Sequence, residues 1–243
     1  MSSENIDINI DLTELLGSDD PPKEEPTEKP KQQRARCHTE RGQKMFEKRR
    51  FFSEKTMLDT AEWHYKQGDF YCFISGGDID SLTFLKHVLR QQRLNYCLIS
   101  TWCFGVEDAR EIGTWIDKKL IDRIDFYVGE IAKASYAECT RDLTEISQKT
   151  GGRCGVFRNH SKVMLCYGEQ FDCAILSSAN VNTNPRTENT VIICNTSVAD
   201  FYKSYFDDIK PFNGSPENWK PYQKENQNAN RESQDLGAEP GGI

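Results

Sequence analysis

The sequence predicts an α/β layered domain on a mixed, mainly parallel sheet flanked by helices, and three observations predict it. From Asp69 onward, apolar runs of strand length alternate with longer segments of helical period. Two late apolar runs stand back to back across Gly168-Glu169, as in a hairpin. The chain's 243 residues, 37% of them hydrophobic, suffice for one sizeable core with tails. Strands that alternate with helices imply crossover connections and parallel pairing.

The elements follow in order. Asp69 to Ser75 reads as a buried strand, broken by Gly76-Gly77-Asp78. Asp80 to Gln91 reads as a helix with Leu82, Leu85, Val88 and Leu89 on one face and Asp80 as its cap. Next come a strand at Asn95 to Thr101, a helix at Val106 to Leu120, a strand at Arg123 to Val128 and a helix at Tyr136 to Lys149. A strand at Arg153 to Phe157 leads into the hairpin Ser161 to Tyr167 and Phe171 to Leu176. A further run, Thr190 to Cys194, precedes Val198 to Ile209, where Val198, Phe201, Tyr202, Tyr205, Phe206 and Ile209 have helical spacing. The glycine turn at Ser75 to Ser81 opens a helix, where backbone amides can hold an anion. Asp78 and Asp80 would repel a phosphate, so it is read as a plain strand-to-helix turn. Trp102-Cys-Phe104 has two readings, a stacking surface for a base or core and rim.

Charge is segregated beneath a net −7: residues 1 to 28 hold nine acids and one Lys, residues 29 to 55 ten bases and three acids. This divides the chain into an acidic tail without a core (1–30), a basic arm (31–55), the folded domain (56–213) and a polar tail (214–243), both tails being expected to be disordered. Arg34, Arg36, Arg41, Lys44, Lys48, Arg49 and Arg50, beside Phe51-Phe52, can track a nucleic-acid backbone; the alternative is a solvated arm or a partner for the acidic stretch. Ile6 to Leu16 alternates apolar and acidic residues, as either a docking motif or a plain tail. The nine cysteines are scattered without a C-x-x-C, as expected of buried thiols in a reducing compartment, and Cys37-His38 has no partner pair for zinc. No apolar run is long enough to span a membrane and the N-terminus does not read as a signal peptide, so a cytoplasmic protein is expected.

The sharpest signal is His160-Ser-Lys162, answered by Ser177-Ser178-Ala-Asn180 and Glu188-Asn189. Residues two apart on a strand share a face, so an imidazole and an ammonium can lie side by side over one anion, best read as a phosphate.

This spaced set resembles the phospholipase D superfamily, and within it the single-motif, nuclease-like members. The resemblance covers roughly Gly68 to Phe212 and rests on His160, Lys162, Ser178, Asn180 and Glu188. Ser177 stands where a Gly is usual, and Tyr167 where the motif has Asp. It implies a phospholipase D-like fold and a phosphodiesterase, most naturally a nuclease, that needs no metal or cofactor. In that scheme His160 is the nucleophile and forms a phosphohistidine. Lys162 and Asn180 stabilise the equatorial oxygens, Ser177 and Ser178 help hold the substrate, and Glu188 orients an imidazole. The scheme needs two His-x-Lys motifs and this chain has one, which implies a homodimer whose subunits each give His160 and Lys162 to a shared site. A lipid substrate is disfavoured, since nothing reads as a membrane-binding surface. Two rivals remain open: a non-catalytic protein that keeps the fold to bind nucleic acid or a partner, and a chance H-x-K at a strand edge.

Overall fold

In the computed structural model, residues 39–61, 64–131, 137–182 and 186–224 are described, with side chains from Glu47 onward. The elements are α1 (Thr39–Thr60), β1 (Phe70–Ser75), α2 (Ser81–Leu89), β2 (Leu94–Thr101), α3 (Val106–Asp117), β3 (Ile124–Gly129), α4 (Ala137–Lys149), β4 (Cys154–Phe157), β5 (Val163–Gly168), β6 (Asp172–Ser177), β7 (Glu188–Ile193) and α5 (Thr196–Asp207). The strands form one mixed sheet of seven in the order β1-β7-β6-β5-β2-β3-β4.

The pairing is less parallel than the alternation of strands and helices predicts. β2, β3 and β4 pair in parallel, but the β5–β6 hairpin is inserted between β2 and β7, and it makes every other neighbouring pair antiparallel. "Mainly parallel" holds only for direction: five strands run one way, with β5 and β7 reversed.

Alternation along each strand assigns the two faces. Cys97, Ile99, Phe126, Met164, Cys166, Ile175 and Ile192 share one buried cluster with α2 (Leu82, Leu85, Val88, Leu89), α3 (Ile112, Trp115, Ile116) and α4 (Cys139, Leu143). Tyr96, Leu98, Tyr127, Leu165, Tyr167 and Ala174 form the other cluster with Ala199 and Phe206 of α5. A one-residue slip in any strand would exchange these sets, so burial on both faces fixes the register.

Two expected boundaries are corrected. The arm drawn at 31–55 is cut by α1, whose C-terminal half belongs to the domain: Met57 and Ala61 enter the core, and Ser53 Oγ accepts from the Asp80 amide at 2.8 Å. The tail drawn from 214 starts too early. Trp219 stacks on the Arg153 guanidinium at 3.5 Å and its indole donates to Asp125 Oδ1 at 3.0 Å. Tyr222 stacks on Tyr96 at 4.4 Å, and Lys224 pairs with the buried Asp172 at 2.7 Å. Residues 211–224 are therefore a strap closing the α5 face. Residues 1–38 and 225–243, with the acidic tail, the Ile6 to Leu16 motif, Cys37-His38, Arg34 and Arg36, lie outside the described residues.

Asp80 occupies the N-cap position of α2 without capping it by its side chain. Its carboxylate instead accepts from Arg49 at 2.8 Å and lies 3.8 Å from Arg50. The preceding turn does use glycine as expected: Gly77 has φ of +88°, a conformation side chains resist.

Candidate functional site

The site lies at the carboxyl ends of β2, β3 and β6, where β5 and β7 begin. Ligands favour this end of open α/β sheets. Four neighbouring backbones set it out. Glu188 opens β7, and Ser177 closes β6 opposite Thr190. The Lys162 carbonyl accepts from the Ser177 amide at 3.0 Å, and the register pairing Ser100 with Val163 carries Thr101 alongside Lys162. At about 4.8 Å per strand, Glu188 and Thr101 frame a mouth of roughly 15 Å.

His160 and Lys162 meet directly. The Lys162 Nζ lies 3.0 Å from His160 Nδ1 and 3.4 Å from Nε2, and donates to the His160 carbonyl at 2.7 Å. An ammonium only donates, so its hydrogen bond to a ring nitrogen uses that nitrogen's lone pair. His160 is exposed, and the half-buried Trp102 ring stands beside it with centroids 5.6 Å apart. Burial lowers the Lys162 pKa, while the nearby Cys103 and Glu188 oppose the shift. Those effects place Cys103 and Glu188 in the same electrostatic neighbourhood as Lys162. Burial likewise raises the Cys103 thiol, with Lys162 working against it.

The remaining predicted residues divide. Asn180 is half-buried, and its Oδ1 accepts from Thr101 Oγ1 at 3.2 Å. The Thr101 hydroxyl has one hydrogen, shared with the Cys103 carbonyl at 3.0 Å, so this contact anchors the Asn180 carboxamide without setting which of its ends faces out. Ser178 donates to Glu188 Oε2 and accepts from the Asn189 amide at 3.0 Å, so it orients the carboxylate. Ser177 is otherwise engaged: its hydroxyl meets Thr190 Oγ1 at 2.9 Å and accepts from the Ala179 amide at 3.1 Å. These bonds shape the turn.

The basic residues stand apart from this constellation. Arg50 is buried, within hydrogen-bonding distance of Asp108 and 3.1 Å from Glu111, so its cation is closed to a phosphate and the nucleic-acid expectation for it is corrected. Arg49 is committed to Asp80. Lys48 is exposed, its Nζ 5.9 Å from the Phe52 ring. Arg41 and Lys44 lie on α1, where side chains are not described.

Sequence reasoning passed over Asn159, Thr101 and Cys103. Thr101 Oγ1 shares its one hydrogen between the Cys103 carbonyl and Asn180 Oδ1 and accepts from the Val181 amide, which fastens the 178–182 turn to β2. The only local signal was the position of Asn159 beside His160. The partners of its Nδ2 are dozens of residues distant.

Among the described residues no three His, Cys, Asp or Glu side chains gather as metal ligands, and no helix is long and apolar enough to cross a membrane.

No protein-family model matches this chain, and no curated protein does. Among solved structures it is similar to NucT from Helicobacter pylori, at 16% identity over 60% of this chain and 98% of that one, with a TM-score of 0.45. A polyphosphate kinase from Porphyromonas gingivalis matches at 15% over 56% of this chain and 25% of its own, TM-score 0.42. A phosphatidylserine synthase from Haemophilus influenzae Rd KW20 matches at 16% over 56% and 37%, TM-score 0.38. The chain spans about a quarter to a third of those last two proteins.

Proposed function

We propose that this chain is a phospholipase D-like phosphodiesterase, a nuclease that works without a metal through a phosphohistidine on His160. The observation that carries the reading is the exposed His160 imidazole beside the Lys162 ammonium, 3.0 Å apart, at the open end of the sheet. With Lys162 turned from the ring to the phosphoryl oxygens, the ring nitrogen that bears the lone pair attacks phosphorus and the P–O bond to the leaving group breaks. Charge on the equatorial oxygens is met by Lys162 Nζ and by the Asn180 carboxamide, which Thr101 anchors. Water then displaces the imidazole from phosphorus. Glu188, held by Ser178, faces this charge from across the mouth.

Protonating the leaving oxygen and activating the water require a second imidazole. His87 is buried with its Nδ1 2.9 Å from Tyr65 Oη, His64 acts on His87, and His38 lies outside the described residues. In this reading the second imidazole is His160 of a second copy, brought across a two-fold axis, as a single His-x-Lys requires.

The missing motif Asp does not count against the chemistry. Tyr167 lies at the far end of β5 from Lys162, roughly 16 Å away along the strand, and on the opposite face. There its hydroxyl donates to Asp200 at 2.8 Å.

The test is cleavage of single- and double-stranded DNA and RNA in EDTA, with sedimentation of the same samples. The wild type should cleave as a dimer, and His160→Ala should fall by about four orders of magnitude or more. No cleavage by either protein would leave a binding role in its place. A fully active monomer would refute the shared site.

A further inference from the structure

Asn159 is buried, and its one carboxamide is engaged on every side. The two hydrogens of its Nδ2 face three acceptors, Ser100 Oγ at 2.9 Å, the Tyr127 carbonyl at 3.0 Å and the Thr101 carbonyl at 3.2 Å. Its Oδ1 accepts from the Ser161 amide at 2.9 Å and the Ser161 hydroxyl at 2.7 Å. The Ser161 hydroxyl in turn meets Ser100 Oγ at 2.6 Å. The amide bond from residue 161 back to side chain 159 is an Asx turn, and it folds the chain tightly around residue 160. The contacts of Nδ2 tie that turn to the ends of β2 and β3. The backbone fits closely there: a Cβ on Gly129 would come within 2.6 Å of Trp102 and 3.0 Å of the Asn159 carbonyl.

His160 itself has little else to hold it. The ring is exposed, with Lys162 and Trp102 as its neighbours. An exposed side chain on a turn does not stay aimed unless its backbone is fixed, and both flanking residues are fixed by one carboxamide.

We infer that Asn159 is the positioning residue of the site, the group that holds His160 in line for attack. The inference rests on His160 being the nucleophile, but its structural half stands without that. A nucleophile displaced by about 1 Å loses about 10²-fold in rate, so the effect falls on kcat.

The experiment compares full-length wild type, Asn159→Ala and Asn159→Ser with Asn213→Ala. Asn213 makes bonds of similar kind to Val156 and Cys154, on the strand before the turn, and touches none of the site residues. The measurements are urea unfolding, backbone order parameters at 158–162, and turnover of bis(p-nitrophenyl) phosphate. In Asn159→Ala, the order parameters should drop from about 0.85 to below about 0.6. Its kcat should fall about 10²-fold with KM unchanged. Asn159→Ser, which keeps a hydroxyl acceptor, should lie between and serves if the alanine variant does not fold. Asn213→Ala should lose stability with neither change. Wild-type order and kcat in both Asn159 variants, or the same losses in Asn213→Ala, would overturn the inference. If the wild type shows no turnover, the order parameters still decide the role of Asn159, and the phosphodiesterase reading alone falls.

Discussion

Two constellations in this molecule pair cations with carboxylates, and they do opposite things. Around Arg50, Asp80, Asp108 and Glu111 close in from α2 and α3, and the guanidinium is almost wholly removed from water. Around Lys162, one side of the ammonium is held by His160 and the rest faces the sheet mouth, with Glu188 at a distance. The first group is enclosed by protein and can only hold α1 against the body. The second lies where an anion can reach it. What marks a functional cluster here is access from the mouth of the sheet, not charge.

If that contrast is right, mutations should separate the two groups. The largest effect should come from Lys162→Ala, which removes a donor to the phosphoryl oxygens and should lower kcat about 10²- to 10³-fold. Its urea midpoint should stay near that of wild type, because a half-exposed Lys contributes little to folding. Equal loss of stability would erase the distinction.

Arg50→Ala should do the reverse. It strands buried carboxylates and should cost about 3–5 kcal/mol of stability, read by urea unfolding, with turnover per folded molecule preserved.

The same group offers a pH test. Asp108 is pushed up to about 6 from 3.8, first by burial and then by the carboxylates of Asp80 and Glu111, against the pull of Arg50. The folded state thus holds this proton more tightly than the unfolded chain. Stability from this group is present below about pH 4 and is lost as pH rises through 6. Urea midpoints should decline over that window, and Asp108→Asn should flatten the decline.

The smallest effect sharpens the comparison with a third cation. Arg153 is buried, donates to Tyr127 Oη and to the Phe206 carbonyl, and is covered by Trp219. Trp219→Ala uncovers it without removing those bonds and should cost about 1–2 kcal/mol. Loss measured by thermal unfolding should come with unchanged catalysis.

What could be read from the sequence followed from short-range pattern. Strand and helix periods located most elements to within a few residues, because burial on one face of a helix or both faces of the sheet writes itself into local spacing. The His160 and Lys162 contact is equally local, being a matter of two residues. The failures were long-range. In α1 the pattern is inverted, with Arg50 inward and Phe51 and Phe52 outward at 62% and 52% exposure, since the carboxylates that make a buried Arg tolerable lie on α2 and α3. The strap was taken for tail because a few well-placed residues, Trp219, Tyr222 and Lys224, hold a segment that is otherwise polar. The β5–β6 insertion, which reverses the pairing, has no signature in spacing. Asn159 was passed over because its bonds reach Ser100 and Tyr127, residues 59 and 32 positions away.

The tie between Tyr167 and Asp200 has a consequence for recognising other chains of this kind. Position 167 fastens a helix to the back of the sheet, with a phenol on the strand meeting an acid on α5. A pattern filter that insists on aspartate five places after the lysine is screening for how that fastening is made. It would discard sequences whose front side is intact, and a better filter would weigh the mouth of the sheet and ignore its rear.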